Sequence, residues 1–236
     1  MKQISITLLL LIFVFTTNAQ DLKLPMNENG EVEFKEVVQS NLSSSLLFAN
    51  AKEWIAKTFG DYKKVLQYED TQNFKVIIKG KIPTNEYINN YEGLIIQEWS
   101  ETIDFTLTIE CKDKRYRYII DGISLIRTEQ SSVFGSIPET AITTESLLEK
   151  ENKDIEYQDE ITKCRFKLDS IKNIDTSKFK KKALKEYQKQ LKGIESTLAG
   201  RIKSRIENME RFENNKEAIL NLITNMKEDL EQDNNF

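Results

Sequence analysis

"IDFTLTIECKDKRYRYIID" spans Ile103 to Asp121, and its first half alternates by residue type. Ile103, Phe105, Leu107, Ile109 and Cys111 fall on one side; Asp104, Thr106, Thr108 and Glu110 fall on the other. A period of two over that length specifies a β-strand with one apolar and one polar face. "KDK" supplies a turn, and "RYRYIID" returns as the partner strand, reaching about Ile126. Such a hairpin belongs to an antiparallel sheet with one face to bury, so the rest of the chain must provide a cover.

Upstream, "GEVEFKEVV" alternates Val32 and Phe34 against Glu31, Glu33 and Lys35, which predicts the first strand. In "SNLSSSLLFANAKEWIAKTFGDYKK" the serines offer N-caps. Leu47, Ala51, Trp54, Ile55 and Phe59 recur there at helical spacing, and Gly60 is placed to end the helix. "VLQYED" and "FKVIIKGKI" read as strands joined by "TQN"; residues 83–90 read as a polar loop, and "LIIQEWS" opens the next strand. One helix is narrow for a sheet of about five strands, so a second cover is expected.

Downstream, residues 127–144 are rich in Ser, Thr and Gly, with Pro138 among them, and read as a linker. Beyond it, Tyr157, Ile161, Cys164, Leu168 and Ile171 form a heptad-like seam. "KNIDTSK" breaks the pattern, and a second series runs from Leu184 through Tyr187, Leu191, Ile194, Leu198, Ile202, Ile206 and Met209 to Phe212. Residues 145–212 are therefore expected to form an antiparallel helical hairpin, a coiled-coil arm. Gly193 and Gly200 in its second helix allow close approach or bending. A last amphipathic helix, in residues 213–236, carries Ile219, Leu222, Ile223, Met226 and Leu230. Periodicity leaves two options open for it: packing back on the sheet, or extending the arm.

The 236 residues are 39% hydrophobic and 31% charged with three prolines, a composition of ordered, helix-rich domains. A formal charge of -4 sets up no global attraction to nucleic acid or an anionic membrane. "MKQISITLLLLIFVFTTNAQ" has Lys2, an apolar run from Leu8 to Phe15, and Thr17 and Ala19 where signal peptidase reads. Residues 1–19 are thus expected to be a signal peptide, leaving Gln20 first in a periplasmic or extracellular chain. No cysteine sits at the cut, so a lipoprotein is not expected, and no later stretch is apolar enough to span a bilayer. Cys111 and Cys164 both occupy apolar positions, which favours two structural thiols over a bridge.

Within residues 20–126, Pro25, Gly30, Val32 and Phe34, then Leu47, Ala51 and Trp54, and finally Tyr116, Tyr118 and Ile120 resemble secreted bacterial proteins carrying a domain of unknown function with a TBP-like fold. The resemblance covers roughly Leu22 to Ile126 and implies an α+β fold: a β-α-β-β-β-β-α arrangement with a curved antiparallel sheet and helices on one side. The long arm departs from that compact pattern. No activity comes with the resemblance, and a TBP-like shape does not bring DNA binding with it.

The chain has no histidine, which removes Ser-His-Asp and Cys-His machinery and histidine-ligated metal sites. No phosphate-binding glycine loop occurs, and the adjacent pairs Glu69–Asp70 and Asp159–Glu160 do not by themselves make an acid/base site. No enzyme, cofactor or metal is expected. Two surfaces remain as candidates. Arg115, Tyr116, Arg117 and Tyr118, with Thr106 and Thr108, offer a ligand or peptide surface if the sheet is uncovered there; ordinary pairing of arginine with Glu110 or Asp104 is the simpler account. The basic run Lys178–Lys192, including Lys180, Lys181 and Lys182, suits an acidic partner, lipid headgroup or polyanion, against the simpler reading of a solvated helix face. Acidic residues further along would let arms self-associate head to tail. The expected function is a non-enzymatic binding or assembly module of the cell envelope with a protein or envelope partner still to be identified. The alternatives are a small-molecule binder or carboxylate-based enzyme using a pocket on the sheet, and polyanion binding through Lys178–Lys192.

Overall fold

The structure, a computed structural model, describes residues 24–91, 95–133 and 139–233; the expected signal segment lies outside them. Strand β1 (Phe34–Gln39) leads to helix α1 (Ser44–Phe59) and a single turn, α2 (Tyr62–Val65). Strands β2 (Leu66–Asp70), β3 (Lys75–Tyr91), β4 (Ile95–Lys112), β5 (Arg115–Val133) and β6 (Glu139–Glu145) follow, then helices α3 (Leu147–Lys172) and α4 (Lys181–Leu230). The fold is α+β: a six-stranded antiparallel sheet in the order β1-β5-β4-β3-β2, with β6 also on β5. Strand β5 is shared between two neighbours, pairing Arg115–Ile120 with β1 and Leu125–Ser131 with β6.

The hairpin of β4 and β5 turns at Asp113 and Lys114, where Lys114 takes a φ of 63°. Its apolar face, Ile103 through Cys111 with Tyr116, Tyr118 and Ile120, is buried. Two helices seal it. Helix α1 starts at the N-cap Ser43, whose side chain accepts from the Leu46 amide, and ends at Gly60, where φ of 72° is open to glycine. It lays Leu47, Ala51, Trp54 and Ile55 on the sheet, and Trp54 meets Phe59 edge to face, which in turn abuts Phe105. The second cover is the last third of α4, through Ile219, Leu222, Ile223, Met226 and Leu230. Asn50 of α1 donates to the carbonyls of Leu230 (3.0 Å) and Gln232 (2.8 Å), satisfying acceptors that a helix end leaves open.

Four expectations are corrected. Residues 83–90 are not a loop: β3 runs on to Tyr91. Pro83 is tolerated because β2 pairs only Lys75–Ile78, so among the described residues no strand pairs on its far side, and the ladder bulges between Pro83 and Asn85. Residues 127–144 are not a linker: residues 127–133 continue β5 and residues 139–145 form β6, while residues 134–138 lie outside the described residues. Threonine-rich strands with polar residues on both faces lack the alternation that identifies a strand. No separate helix begins at residue 213, because α4 is unbroken over 50 residues, about 75 Å. It extends from the arm and also covers the sheet. Finally, a Cβ at Gly193 or Gly200 would meet no atom within 4 Å, so neither glycine serves a close approach.

Helices α3 and α4 form the antiparallel arm. Its register is marked by Asn208 Nδ2 donating to the Lys150 carbonyl (2.9 Å), by Arg205 on Asp154 and by Arg201 on Glu160. At the far end Tyr187 Oη donates to the Ile171 carbonyl (3.3 Å). Ile161 is buried in the seam and Cys164 half-buried, but Leu184 and Ile206 of the expected series are exposed, as a two-helix pair covers only a narrow stripe. Cys111 and Cys164 are free thiols, and burial pushes Cys111 up to about 12.

Candidate functional site

Strands β3, β4 and β5, at 17, 18 and 19 residues, outrun the apolar cover, and their far halves meet the root of the arm. Sequence reasoning missed what lies there. Glu101 shares the inward phase of Ile103 and Phe105 and is only 1% exposed. Its Oε1 accepts from Arg211 Nη2 (2.6 Å) and lies 3.0 Å from Lys150 Nζ. Its Oε2 accepts from Asn85 Nδ2 (3.0 Å) and Asn215 Nδ2 (3.0 Å). Asn214 donates to Asn85 Oδ1, which closes the ring of contacts. Lys150, wholly buried, also faces Glu145 at 3.5 Å, and Lys153 pairs with the same carboxylate. The capping box at Ser146 and Glu149 starts α3 here and so aims Lys150 inward. On α4, Asn208, Arg211 and Asn215 follow at spacings of three and four, which puts all three on one helix face. Trp99 of β4 completes the junction: the guanidinium of Arg127 lies 4.3 Å and that of Arg211 4.9 Å from its ring centroid.

Beside this cluster opens a cleft of about 620 Å³, lined by Arg127, Arg211, Glu129, Glu145, Asn152 and Lys153 among others. The expected helical cover is therefore apolar over one half of the sheet only, and ionisable groups lie between strands and helices in the other. Burial pushes the Glu101 carboxyl up, but hydrogen bonds from Arg211 and Asn215 and the Lys150 charge outweigh it and bring it down to about 2. Burial depresses Lys150, and Glu101 offsets part of that. A carboxylate with three hydrogen-bond donors, an ammonium 3.0 Å away and so low a pKa is a poor base at neutral pH, and a lysine with no exposed surface cannot reach a substrate. The cluster acts as a clamp: it fixes strands β3 and β4 to the roots of α3 and α4.

The two surfaces singled out from sequence lie elsewhere and apart from each other. Tyr116 and Tyr118 point into the core, 1% and 4% exposed, so they offer no binding surface. Tyr118 Oη donates to Glu36 (2.9 Å). Arg117 stands on the outer face opposite Glu110, to which it donates at 2.5 Å, and Lys75 holds the other oxygen at 2.9 Å. This is cross-strand pairing, with Arg115 at the strand start opposite Lys112 and Gln39. Lys180, Lys181 and Lys182 sit at the N-terminus of α4, at the arm's tip and far from the clamp in the arm register.

Among the described residues no group of three or more Cys, Asp or Glu is placed to hold a metal, and no helix is long and apolar enough to cross a membrane. No curated protein matches this chain. Two crystal structures are similar. A TBP-like protein from Parabacteroides distasonis is 18% identical, with a TM-score of 0.35 over 52% of this chain and 69% of that one. A DUF4468 family protein from Bacteroides ovatus is 13% identical, with a TM-score of 0.32 over 50% of this chain and 64% of that one. The family model that matches is a domain of unknown function (DUF4468) with TBP-like fold, and it spans the β1–α1–β2–β3–β4 region and the start of β5. Residues 34–125 of this chain match that DUF4468 model, and the helical arm lies beyond them.

Proposed function

We propose that this protein is a non-catalytic binding or assembly module of the cell envelope, exported through residues 1–19, in which the sheet domain serves as a rigid mount for the helical arm. One observation carries this reading. Helix α4 is a single 50-residue element whose last third lies in the sheet's core, whose middle is bolted to Glu101, and whose first third forms the arm's tip. The depressed pKa of Glu101 and the full burial of Lys150 favour a mechanical role for the cluster over acid/base work. The cleft supports a second reading, a small polar ligand held by Arg127 and Arg211 against Trp99.

Removing the whole arm would not test the proposal, because Leu147, Lys150 and Phe212 are part of the core and the clamp. The informative cut joins Tyr157 to Ile202 by a short Gly/Ser turn, between the Asp154–Arg205 and Glu160–Arg201 contacts. The trimmed chain is expected to unfold as cooperatively as the parent, yet to lose the parent's retention in isolated envelopes. Unchanged retention would refute arm-mediated binding, and saturable binding of a small molecule that Arg127→Ala abolishes would favour the cleft.

A further inference from the structure

Charge is distributed very unevenly along the arm. Residues 163–192, its distal part, contain eleven Lys or Arg and three Asp or Glu, a formal +8 within a chain of -4, so the remainder carries -12. Nearer the sheet the arm's cations are matched: Arg201 with Glu160, Lys203 with Glu207, Arg205 with Asp154, Arg211 with Glu101. At the tip that matching stops. Among the described residues, Lys172, 3.4 Å from Glu195, is the one cation of residues 163–192 with an ionic partner. Lys180 occupies the N-cap of α4 without a side-chain cap, Lys181 and Lys182 follow, and the first turn holds no acid. Positive charge at a helix N-terminus opposes the helix dipole, so these lysines stand where folding stability alone would not put them.

The same end exposes large apolar side chains. Phe166 is 74% exposed, and Ile174, Phe179 and Leu184 also reach solvent around the turn. Phe179 is held edge-on against Tyr187, 6.0 Å between centroids, so the protruding ring is oriented. Unmatched cations around protruding apolar groups form the pattern by which a surface seats itself at a lipid–water boundary: lysines meet anionic headgroups while rings and aliphatic groups enter the acyl margin. A polyanion in solution would use the cations and leave the apolar groups without a role.

Building on the reading of the arm as the binding element, we propose that its tip docks on anionic phospholipid membrane, through lysines such as Lys180, Lys181 and Lys182 together with Phe166 and Phe179. The test uses the chain from Gln20, which keeps every described residue, in co-sedimentation with vesicles of equal parts phosphatidylglycerol and phosphatidylethanolamine or of phosphatidylcholine alone. Binding to the anionic vesicles and none to phosphatidylcholine is expected. Each lysine near such a surface strengthens binding roughly fivefold, so Lys180→Gln/Lys181→Gln/Lys182→Gln should weaken it on the order of 100-fold. Neutralising Lys57, Lys64 and Lys81, which pair with Glu53, Asp61 and Asp104, changes net charge equally and should change binding little. Phe166→Ser/Phe179→Ser should weaken binding while leaving the helical circular dichroism intact. Equal loss in both lysine sets, or equal binding to both vesicle types, would overturn the proposal. Capture by soluble polyphosphate with no vesicle binding would overturn it in favour of a polyanion. If the parent ignores vesicles but the arm-trimmed chain still loses envelope retention, the lipid inference alone falls and the arm remains the binding element.

Discussion

Replacing Glu101 by Gln should expose how strongly the arm is bolted to the sheet. Glu101 is 1% exposed, and its carboxyl falls from an ordinary 4.5 to about 2 on folding. Each pKa unit is worth about 1.4 kcal/mol, so the ionised side chain contributes about 3 kcal/mol at pH 7. An independent route gives the same size: removing one partner of a buried ion pair costs about 3–5 kcal/mol, because the remaining charge stays buried. Here Lys150 and Arg211 would be left facing a neutral amide. The sign of the pH dependence follows from the depressed pKa. This stabilisation is fully present above the unfolded value of about 4.5 and disappears as pH falls through about 2. Urea unfolding at pH 7 should therefore show the variant about 3 kcal/mol less stable, and the gap should halve to about 1.4 kcal/mol near pH 3. Adding Lys150→Met should recover part of the loss, since it removes the other buried charge. A gap below about 1 kcal/mol at pH 7, or one that persists unchanged below pH 3, would refute the reasoning.

Other consequences are equally direct. A Cβ at Gly80 would lie 2.4 Å from the Phe105 ring, which is itself buried, so Gly80→Ala should cost about 1–3 kcal/mol; the pair Gly80→Ala/Phe105→Leu should lose less than the two single changes summed, and strict additivity would contradict the contact. Gly193 and Gly200 have open space around their Cα atoms, so Ala at either should strengthen α4 by about 1 kcal/mol, seen as slower amide exchange in the distal arm; faster exchange would reveal a close approach. In the native protein a thiol reagent should modify the half-buried Cys164 quickly and leave Cys111, buried with its pKa near 12, untouched until denaturant is added.

The apolar half of the molecule was legible because its signals are periodic. The alternation from Ile103 to Cys111 and the stripe from Leu47 to Phe59 each carry a pattern long enough to define a face, and the structure buries both. In the far half "LIIQEWS" was legible as the start of a strand, but residues 83–90 and 127–144 were not, because polar residues dominate them and Pro83 and Pro138 read as breaks in the chain. The clamp did leave a trace. Glu101 is in phase with Ile103, and Asn215 falls between Phe212 and Ile219 in the buried series of α4. A polar residue at an inward position reads as an interruption when each element is taken alone; its meaning appears only when Asn85, Glu101, Lys150 and the pair Arg211 and Asn215 are brought together from four parts of the chain.

The division of the inner face into apolar and ionic halves bears on how the arm can act. Ile219, Ile223 and Met226 hold the end of α4 to the sheet through a buried stripe, which sets the rotation of that end only. Glu101 extends that control to the middle of the helix. Its hydrogen bonds from Arg211 and Asn215 set the azimuth of α4, and its ion pair with Lys150 sets the start of α3. From that point outward the two helices are steadied chiefly by each other, through a narrow seam around Ile161 and the ion pairs at Asp154 and Glu160. A load at the basic tip is therefore carried down one continuous helix, whose backbone hydrogen bonds run uninterrupted from Lys181 to the core, into a junction that resists rotation. If the tip engages a surface, the sheet domain is held at a fixed distance and angle from it, and loss of the Glu101 clamp should loosen that angle before it unfolds the sheet.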